Sequence, residues 1–171
     1  MAKAVFPVKF ETMGIPDRNG IDKVEFFFSA NPGEPPRPLK EIISGGELAR
    51  FMLALKTIEC GSIPVLIFDE IDSGIGGHMG EAVGRKLAGL SEESQVIVIT
   101  HLPQIAAFAD AHYHVSKSNA SDRTVSDIKV LSGEARLHEL AVMLAGPQFS
   151  DSSLKAAGEL IRKADEWKKT V

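Results

Sequence analysis

The chain has 171 residues, 44% of them hydrophobic and 25% charged, which is the composition of one ordinary globular domain. This composition excludes a disordered chain, a collagen, a coiled coil and a disulfide scaffold as the main description. Nineteen Lys and Arg against 23 Asp and Glu give a net charge of −4. The chain therefore lacks the overall positive charge with which many proteins bind the nucleic acid backbone. Any contact with a nucleic acid must be local or come from another chain.

The cysteine content and the apolar runs predict a soluble, cytoplasmic protein with no membrane contact. Cys60 is the only cysteine, so no intramolecular disulfide can form, and the first 30 residues lack the pattern of a secretory signal. The longest purely aliphatic or aromatic run, 63–68, contains Pro64 and falls far short of the ~20 residues that span a bilayer.

Two strands and a connector are predicted at the start of the chain. Residues 5–10 and 23–29 are rich in β-forming residues, and the Gly, Pro, Asp and Asn of 13–20 predict a loop between them. The segment 31–38 has four prolines in eight residues. It is predicted to be a connector, because proline disrupts both helices and central strands.

The middle of the chain predicts a βαβ unit. Apolar residues at helical spacing from 48 to 58 predict a helix of about four turns that begins after Ser44. The wholly apolar runs 65–68 and 96–99 are typical of strands buried on both faces of a parallel sheet. A second helix is predicted between them from the apolar positions 79, 83, 87 and 90. The predicted fold class is therefore α/β with a parallel sheet and flanking helices.

The last third of the chain predicts a hairpin and three helices. Pro103 favours the first turn of a short helix that ends at Ala109. Residues 112–117 and 124–131 alternate in polarity around 119–123 and predict a hairpin at a sheet edge. Two longer helices are predicted over 135–144, which Gly146 and Pro147 end, and over 152–169.

The tetrapeptide Ser44-Gly45-Gly46-Glu47 stands where a loop enters a helix. It fits a capping box, in which Ser44 is the N-cap and Glu47 returns a bond to the Ser44 amide. Two glycines in a first turn each cost up to ~1 kcal/mol relative to alanine, which suggests that bare backbone is needed there. A phosphate would need it, because helix N-termini attract anions and Ser44 adds a hydroxyl donor. Both interpretations stay open.

Two acids, Asp69 and Glu70, follow the first apolar strand directly. The carboxyl ends of strands are where ligands of open α/β sheets bind. Strand alternation predicts that the two carboxylates point in different directions. One can then hold Mg²⁺ through its water shell while the other orients or deprotonates a water. The alternative is a pair of solvated acids at the start of a loop.

His101 follows the second apolar strand and is predicted at the same sheet edge as the two acids. An imidazole there could contact a terminal phosphate or an attacking water. The alternative is a histidine that caps the helix beginning at Pro103.

The remaining candidate residues are weaker signals of a functional site. His112 and His114 share a strand face, but no nearby Cys or acid completes a metal site, which favours an ordinary edge strand. Cys60 has no basic partner close in sequence and is predicted to be inert. The last helix has a basic side, predicted to be a solvated face, with DNA or partner docking as the alternative. Its residues are Arg162, Lys163, Lys168 and Lys169.

The order of these signals resembles the C-terminal lobe of an ABC-type ATPase head, with a signature motif, a Walker B strand and a switch histidine. The glutamate of SGGE and the sequence DEID are similar to the SMC-like branch, which acts on chromosomes. Five segments more closely resemble the RecN family of bacterial DNA repair proteins, and together they cover nearly the whole chain. They are FFFSANPG (26–33), ISGGELAR (43–50), FDEIDSGIGG (68–77), THLPQIAA (100–107) and RLHELAVMLAG (136–146).

That resemblance implies a nucleotide-binding role for the signature tetrapeptide, which ends at Glu47. Ser44, Gly45 and Gly46 would contact the γ-phosphate of an ATP held by the opposing head of a dimer. The implied cofactors are ATP and Mg²⁺.

The resemblance also implies roles for the sheet edge. Asp69 would support Mg²⁺, Glu70 would be the general base, and His101 would sense the γ-phosphate. One departure is Gly76, which stands where many ABC ATPases end the loop after Walker B with Asp. The usual cross-interface role of that loop therefore does not transfer, although Asp72 is available.

The sequence contains no G-x-x-x-x-G-K-[ST], so the cradle for the β and γ phosphates is missing. In RecN-like proteins that motif belongs to an N-terminal lobe, separated by a long coiled coil. We therefore expect residues 1–171 to form a single domain, the C-terminal lobe of a split head. Its P-loop lobe would lie elsewhere in a longer chain or on a second polypeptide.

The expected function is that of an intact ATPase acting on DNA in double-strand break repair and recombination, at the nucleoid. Turnover would need the N-terminal lobe and a second copy of the head, so the chain alone is expected to be inactive. Two other classes stay open. One is a non-catalytic dimerisation or adaptor module with an ABC-like half fold. The other is a Mg²⁺-dependent phosphohydrolase using Asp69, Glu70, Asp72 and His101 within one chain.

Overall fold

The computed structural model describes residues 5–29, 33–41, 45–58, 63–120 and 123–171. An antiparallel hairpin opens it, in which β1 (Val8–Asp17) pairs with β2 (Gly20–Phe28). The loop predicted over 13–20 is wrong, because most of this segment belongs to β1 and the turn is confined to residues 18 and 19. Regular pairing lapses between Thr12 and Asp17, so Pro16 lies where the ladder needs no N–H donor.

The proline-rich connector forms the edge of this first sheet. The two-residue strand β3 (Arg37–Pro38) pairs antiparallel with the end of β2, and a 3-10 turn (Leu39–Glu41) follows. The described part of the segment, from residue 33, is neither helix nor central strand, as predicted. Proline is tolerated at an edge because one side of an edge strand needs no backbone donor.

The predicted βαβ unit is confirmed. Helix α1 (Gly45–Ile58) precedes β4 (Val65–Phe68), and α2 (Gly77–Leu90) connects β4 to β5 (Gln95–Val98). The two strands are parallel, with Phe68 opposite Val98. The α/β class therefore stands.

This parallel pair is covered on one face within the described residues, so the predicted burial on both faces is wrong. Phe68 and its strand neighbour Leu66 pack with Leu53 of α1 and Val83 of α2 in one core. On the other face Ile67 is 67% exposed. The cause is that α1 and α2 both pack on the side of Phe68.

The rest of the chain forms a second core. The short helix α3 (Pro103–Ala106) leads to β6 (His112–Ala120) and β7 (Arg123–Leu131), then to α4 (Gly133–Ala145) and α5 (Asp151–Lys168). Helix α3 is shorter than predicted and ends in a turn. Small residues on α4 and α5 allow these helices to pack closely. The buried ones are Ala141, Ala157 and Ala164.

The hairpin of β6 and β7 is confirmed, but the prediction that it lies at a sheet edge is wrong. Among the described residues it forms a separate two-stranded sheet whose strands pair only with each other. Local alternation specifies a hairpin but not the sheet that it joins. No helix in the described ranges combines the length and the apolar character that a membrane crossing requires.

Candidate functional site

The acids and the histidine predicted to meet do lie at one edge of the parallel sheet. Asp69 and Glu70 follow β4, and Thr100 and His101 come shortly after β5. The amide of Ile99 donates to the carbonyl of Phe68 at 2.9 Å, which extends the pairing to the residue before Thr100. The two strands therefore deliver these polar residues to the same end of the βαβ unit.

The carboxylates of Asp69 and Glu70 are exposed and have no hydrogen-bond or ion-pair partner among the residues that the structure describes. Glu70 has a backbone φ of 56°, and no other non-glycine residue in the described ranges has a positive φ. A left-handed conformation costs a non-glycine residue roughly 1–2 kcal/mol. The carbonyl of Glu70 accepts a bond from the Ser73 amide at 3.0 Å, which closes the turn.

The first turn of α1 abuts this acidic loop. A Cβ on Gly45 would lie 2.8 Å from Oε2 of Glu70, and a Cβ on Gly46 would lie 2.7 Å from the carbonyl oxygen of Ser73. Gly46 is buried, whereas Gly45 is exposed. The bare backbone at Gly46 is therefore required by the chain's own loop. Ser44, and with it the capping box, lies outside the described residues.

Arg50 ties α1 to the same loop. Its Nη1 donates to the carbonyl of Ile71 at 3.1 Å and to that of Ser73 at 2.8 Å. These bonds satisfy two carbonyls of a turn that has no regular secondary structure. Sequence reasoning did not find this role, because the bonds span 21 and 23 residues.

Asp72 is the buried centre of the site. Its Oδ2 accepts bonds from the hydroxyl of Thr100, from the His101 amide at 2.7 Å and from the Leu102 amide at 3.3 Å. Burial raises the pKa of Asp72, but the bonds from Thr100 and the His101 amide outweigh burial and hold the pKa below its usual value. Asp72 therefore anchors the segment that carries His101.

The imidazole of His101 lies beside Asp72. Its Nδ1 lies 3.0 Å from Oδ2 of Asp72, while 74% of the His101 side chain is exposed. The alternative that His101 caps α3 is wrong, since the N-cap residue is Leu102 and the His101 side chain contacts Asp72 instead.

The weaker candidates form no site in the described ranges. His114 pairs with Glu139 of α4 at 3.0 Å, and no cluster of three metal-ligating side chains occurs among the described residues. Burial, and then the charge of Arg136, lowers the pKa of His112. Arg162 of the basic helix forms ion pairs with Glu159 and Glu166 of α5. Cys60 lies outside the described residues.

No protein-family model matches the chain, but curated relatives do. A DNA repair protein RecN from Xylella fastidiosa is 45% identical over 153 residues, 88% of this chain and 28% of its own length. RecN of Treponema pallidum is 52% identical over 84% of this chain and 25% of its own length. RecN of Halalkalibacterium halodurans is 40% identical over 98% of this chain and 31% of its own length. The chain thus spans about three tenths of the length of these relatives.

Solved structures give a weaker likeness. A structure described as "Structural biochemistry of ATP-driven dimerization and DNA stimulated activation of SMC ATPases" has a TM-score of 0.46 and 27% identity over 69% of this chain and 71% of its own. An Smc head bound to the C-winged helix domain of ScpA has a TM-score of 0.44 and 26% identity over 75% of this chain and 38% of its own. The assignment therefore rests on the curated relatives, and with 40–52% identity over most of its length the chain belongs to the RecN family of DNA repair proteins.

Proposed function

We propose that residues 1–171 form a single domain, the C-terminal lobe of an SMC-like head that binds and hydrolyses ATP during DNA double-strand break repair and recombination. The observation that carries this proposal is the meeting of Asp69, Glu70, His101 and the glycine tip of α1 at one sheet edge. A head of this kind would work on chromosomal DNA, in the cytoplasm at the nucleoid.

Glu70 is the proposed general base. Its carboxylate is exposed and free of partners among the described residues, so a water molecule can reach it. The left-handed backbone holds it over the first turn of α1. Strain of this kind is characteristic of functional positions.

Asp69 is the proposed ligand of Mg²⁺. This ion keeps several of its waters and takes one or two carboxylates together with phosphate oxygens, so a single exposed carboxylate fits it. When bound, Mg²⁺ neutralises charge on the phosphates of ATP. The role of Asp69 is to fix that charge beside Glu70.

The tip of α1 is the proposed contact for the terminal phosphate of an ATP held by a second head. Gly45 is exposed, and a helix start offers free N–H groups to an anion. Ser44 and Glu47 complete the proposed signature motif, whereas buried Gly46 would contribute its backbone alone.

Uncovered apolar surface supports the need for a second lobe. The open face of the parallel sheet carries exposed aliphatic side chains, which are Val65, Ile67, Ile97 and Ile99. One face of the β6–β7 hairpin is similar and carries Tyr113, Val115, Ile128 and Val130. Contiguous apolar faces of this kind mark interaction sites. Because the relatives are about three times longer, the proposed occupant is an N-terminal lobe with the P-loop.

A single-chain phosphohydrolase is less well supported. That alternative uses Asp72 together with Asp69, Glu70 and His101, but Asp72 is 3% exposed and its Oδ2 already accepts three bonds.

The test compares Glu70→Gln with Glu92→Gln, an exposed acid in the turn that precedes β5. In a full-length protein with both lobes, Glu70→Gln should lower ATP turnover more than ~100-fold and leave ATP-driven pairing intact, because only the base is lost. Glu92→Gln should change neither.

Turnover by Glu70→Gln above a tenth of normal would show that Glu70 is not the base. Full cellular function with both Asp69→Asn and Glu70→Gln would instead favour the non-catalytic adaptor. Phosphate release by the 171-residue chain alone would refute the split-head proposal.

A further inference from the structure

Asp72 is the only acidic residue that is buried in the described part of the chain. The three bonds that it receives all come from the segment 100–102, at the edge where the proposed reaction takes place. Burying a charged carboxylate costs free energy unless hydrogen bonds compensate for the lost water. Because all the compensating bonds come from the segment 100–102, the role of Asp72 must involve that segment.

The contact between Asp72 and His101 orients the imidazole. The edge of the ring that carries Nδ1 faces buried Asp72, at 3.0 Å from Oδ2. The exposed edge is the one that carries Nε2, since 74% of the side chain is open to solvent. Among the described residues Asp72 is the one carboxylate paired with His101, so Glu70 does not compete for the ring.

The chemistry of the pair then decides which nitrogen holds the proton. An ionised carboxylate only accepts hydrogen bonds, so a neutral imidazole beside it must be protonated on Nδ1. The bonds from Thr100 and the His101 amide keep the pKa of Asp72 low, which keeps it ionised at neutral pH.

We propose that Asp72 is a positioning residue that holds His101 in the Nδ1–H tautomer, with Nε2 turned outward at the sheet edge. The catalytic meaning of this assignment rests on the proposed function. Neutral His101 then presents a lone pair that can accept from the attacking water. While the proton of neutral His101 is held on Nδ1, donation from Nε2 to a phosphate oxygen requires the imidazolium form.

A purely structural role and a positioning role both predict a loss of stability when Asp72 is replaced. The test must therefore observe the tautomer of His101. Long-range ¹H–¹⁵N correlation spectra of the 171-residue chain, recorded where His101 is neutral, distinguish the two tautomers. His101→Gln identifies the His101 signals by their disappearance. We expect the Nδ1–H form in the unmodified chain, and the Nε2–H form there would overturn the proposal without any Asp72 variant.

Two variants separate positioning from anchoring. Asp72→Ala removes Oδ2, the acceptor that faces Nδ1, and should release His101 from the Nδ1–H tautomer. Thr100→Val removes one donor to Asp72 and should leave the tautomer unchanged. An unchanged tautomer in folded Asp72→Ala would contradict the proposal.

Turnover supplies an independent measurement. In the full-length protein, Asp72→Ala should lower kcat roughly tenfold or more and leave KM for ATP within about twofold, because Nε2 no longer presents its lone pair to the attacking water while ATP binding is kept. A switched tautomer with unchanged kcat would overturn the positioning role. Absence of any Glu70-dependent turnover would refute the proposed function, and the spectra would still decide the Asp72–His101 pair.

Discussion

At the scale of single residues, the site depends on how the loop after β4 is held. Glu70 takes a left-handed backbone, and Arg50 of α1 bonds the carbonyls of Ile71 and Ser73 in the same loop. Gly46 lies under the Ser73 carbonyl, where a Cβ would be 2.7 Å away. The glycine pair therefore has two different environments, one facing backbone and one facing the end of a flexible side chain.

Alanine at the two glycines should separate these environments. Gly46→Ala pushes against the Ser73 backbone and should lower the free energy of unfolding by about 1–3 kcal/mol. Gly45→Ala meets only the carboxylate of Glu70, which can rotate away, so its effect should stay within ~1 kcal/mol. Urea unfolding of both variants measures the difference, and equal losses would contradict the packing explanation.

At the scale of elements, glycines on one side of α2 let α3 approach closely. A Cβ on Gly80 would lie 3.2 Å from Leu102, and a Cβ on Gly84 would lie 2.6 Å from the ring of Phe108. Helix α2 begins just after the acidic loop and α3 just after His101. Close packing of these two helices therefore fixes the distance between the two halves of the site.

Two glycines of α2 form a matched pair for testing this contact. Gly84→Ala should lower the free energy of unfolding by about 1–3 kcal/mol, because Phe108 and the carbonyl of Gln104 must move. Gly89→Ala has open space around its new methyl group and should raise stability by up to ~1 kcal/mol through helix propensity. Thermal unfolding of both variants gives the comparison, and a neutral Gly84→Ala would exclude tight packing.

At the scale of the whole molecule, helices cover one face of the parallel sheet and leave its other, apolar face exposed in the described chain. The exposed Ile67 and Ile97 lie opposite each other in the register of β4 and β5. Burial of such side chains against a second lobe would contribute roughly 1.5–3 kcal/mol each. An apolar open face is thus consistent with a chain that spans about three tenths of its relatives' length.

Ile67→Lys should therefore weaken association with a separately expressed P-loop lobe at least ~10-fold, because a charge would have to be buried at the contact. The 171-residue chain should keep its stability within ~1 kcal/mol, since Ile67 is already exposed. Ile15→Lys is the control, because Ile15 is 82% exposed on the first hairpin. Equal binding by Ile67→Lys and Ile15→Lys would exclude the open sheet face as the docking surface.

The local pattern of the sequence determined the βαβ unit and the meeting of Asp69, Glu70 and His101. Helical and strand periods are local properties, and parallel strands must bring their carboxyl ends to one edge. The family was equally accessible, since its motifs are short and contiguous. Tertiary packing alone decided the rest, because Asp72 finds partners 28 to 30 residues away and Gly46 meets a distant carbonyl. It also left one face of the apolar strands open, since periodicity shows that a side chain can be buried but not what covers it.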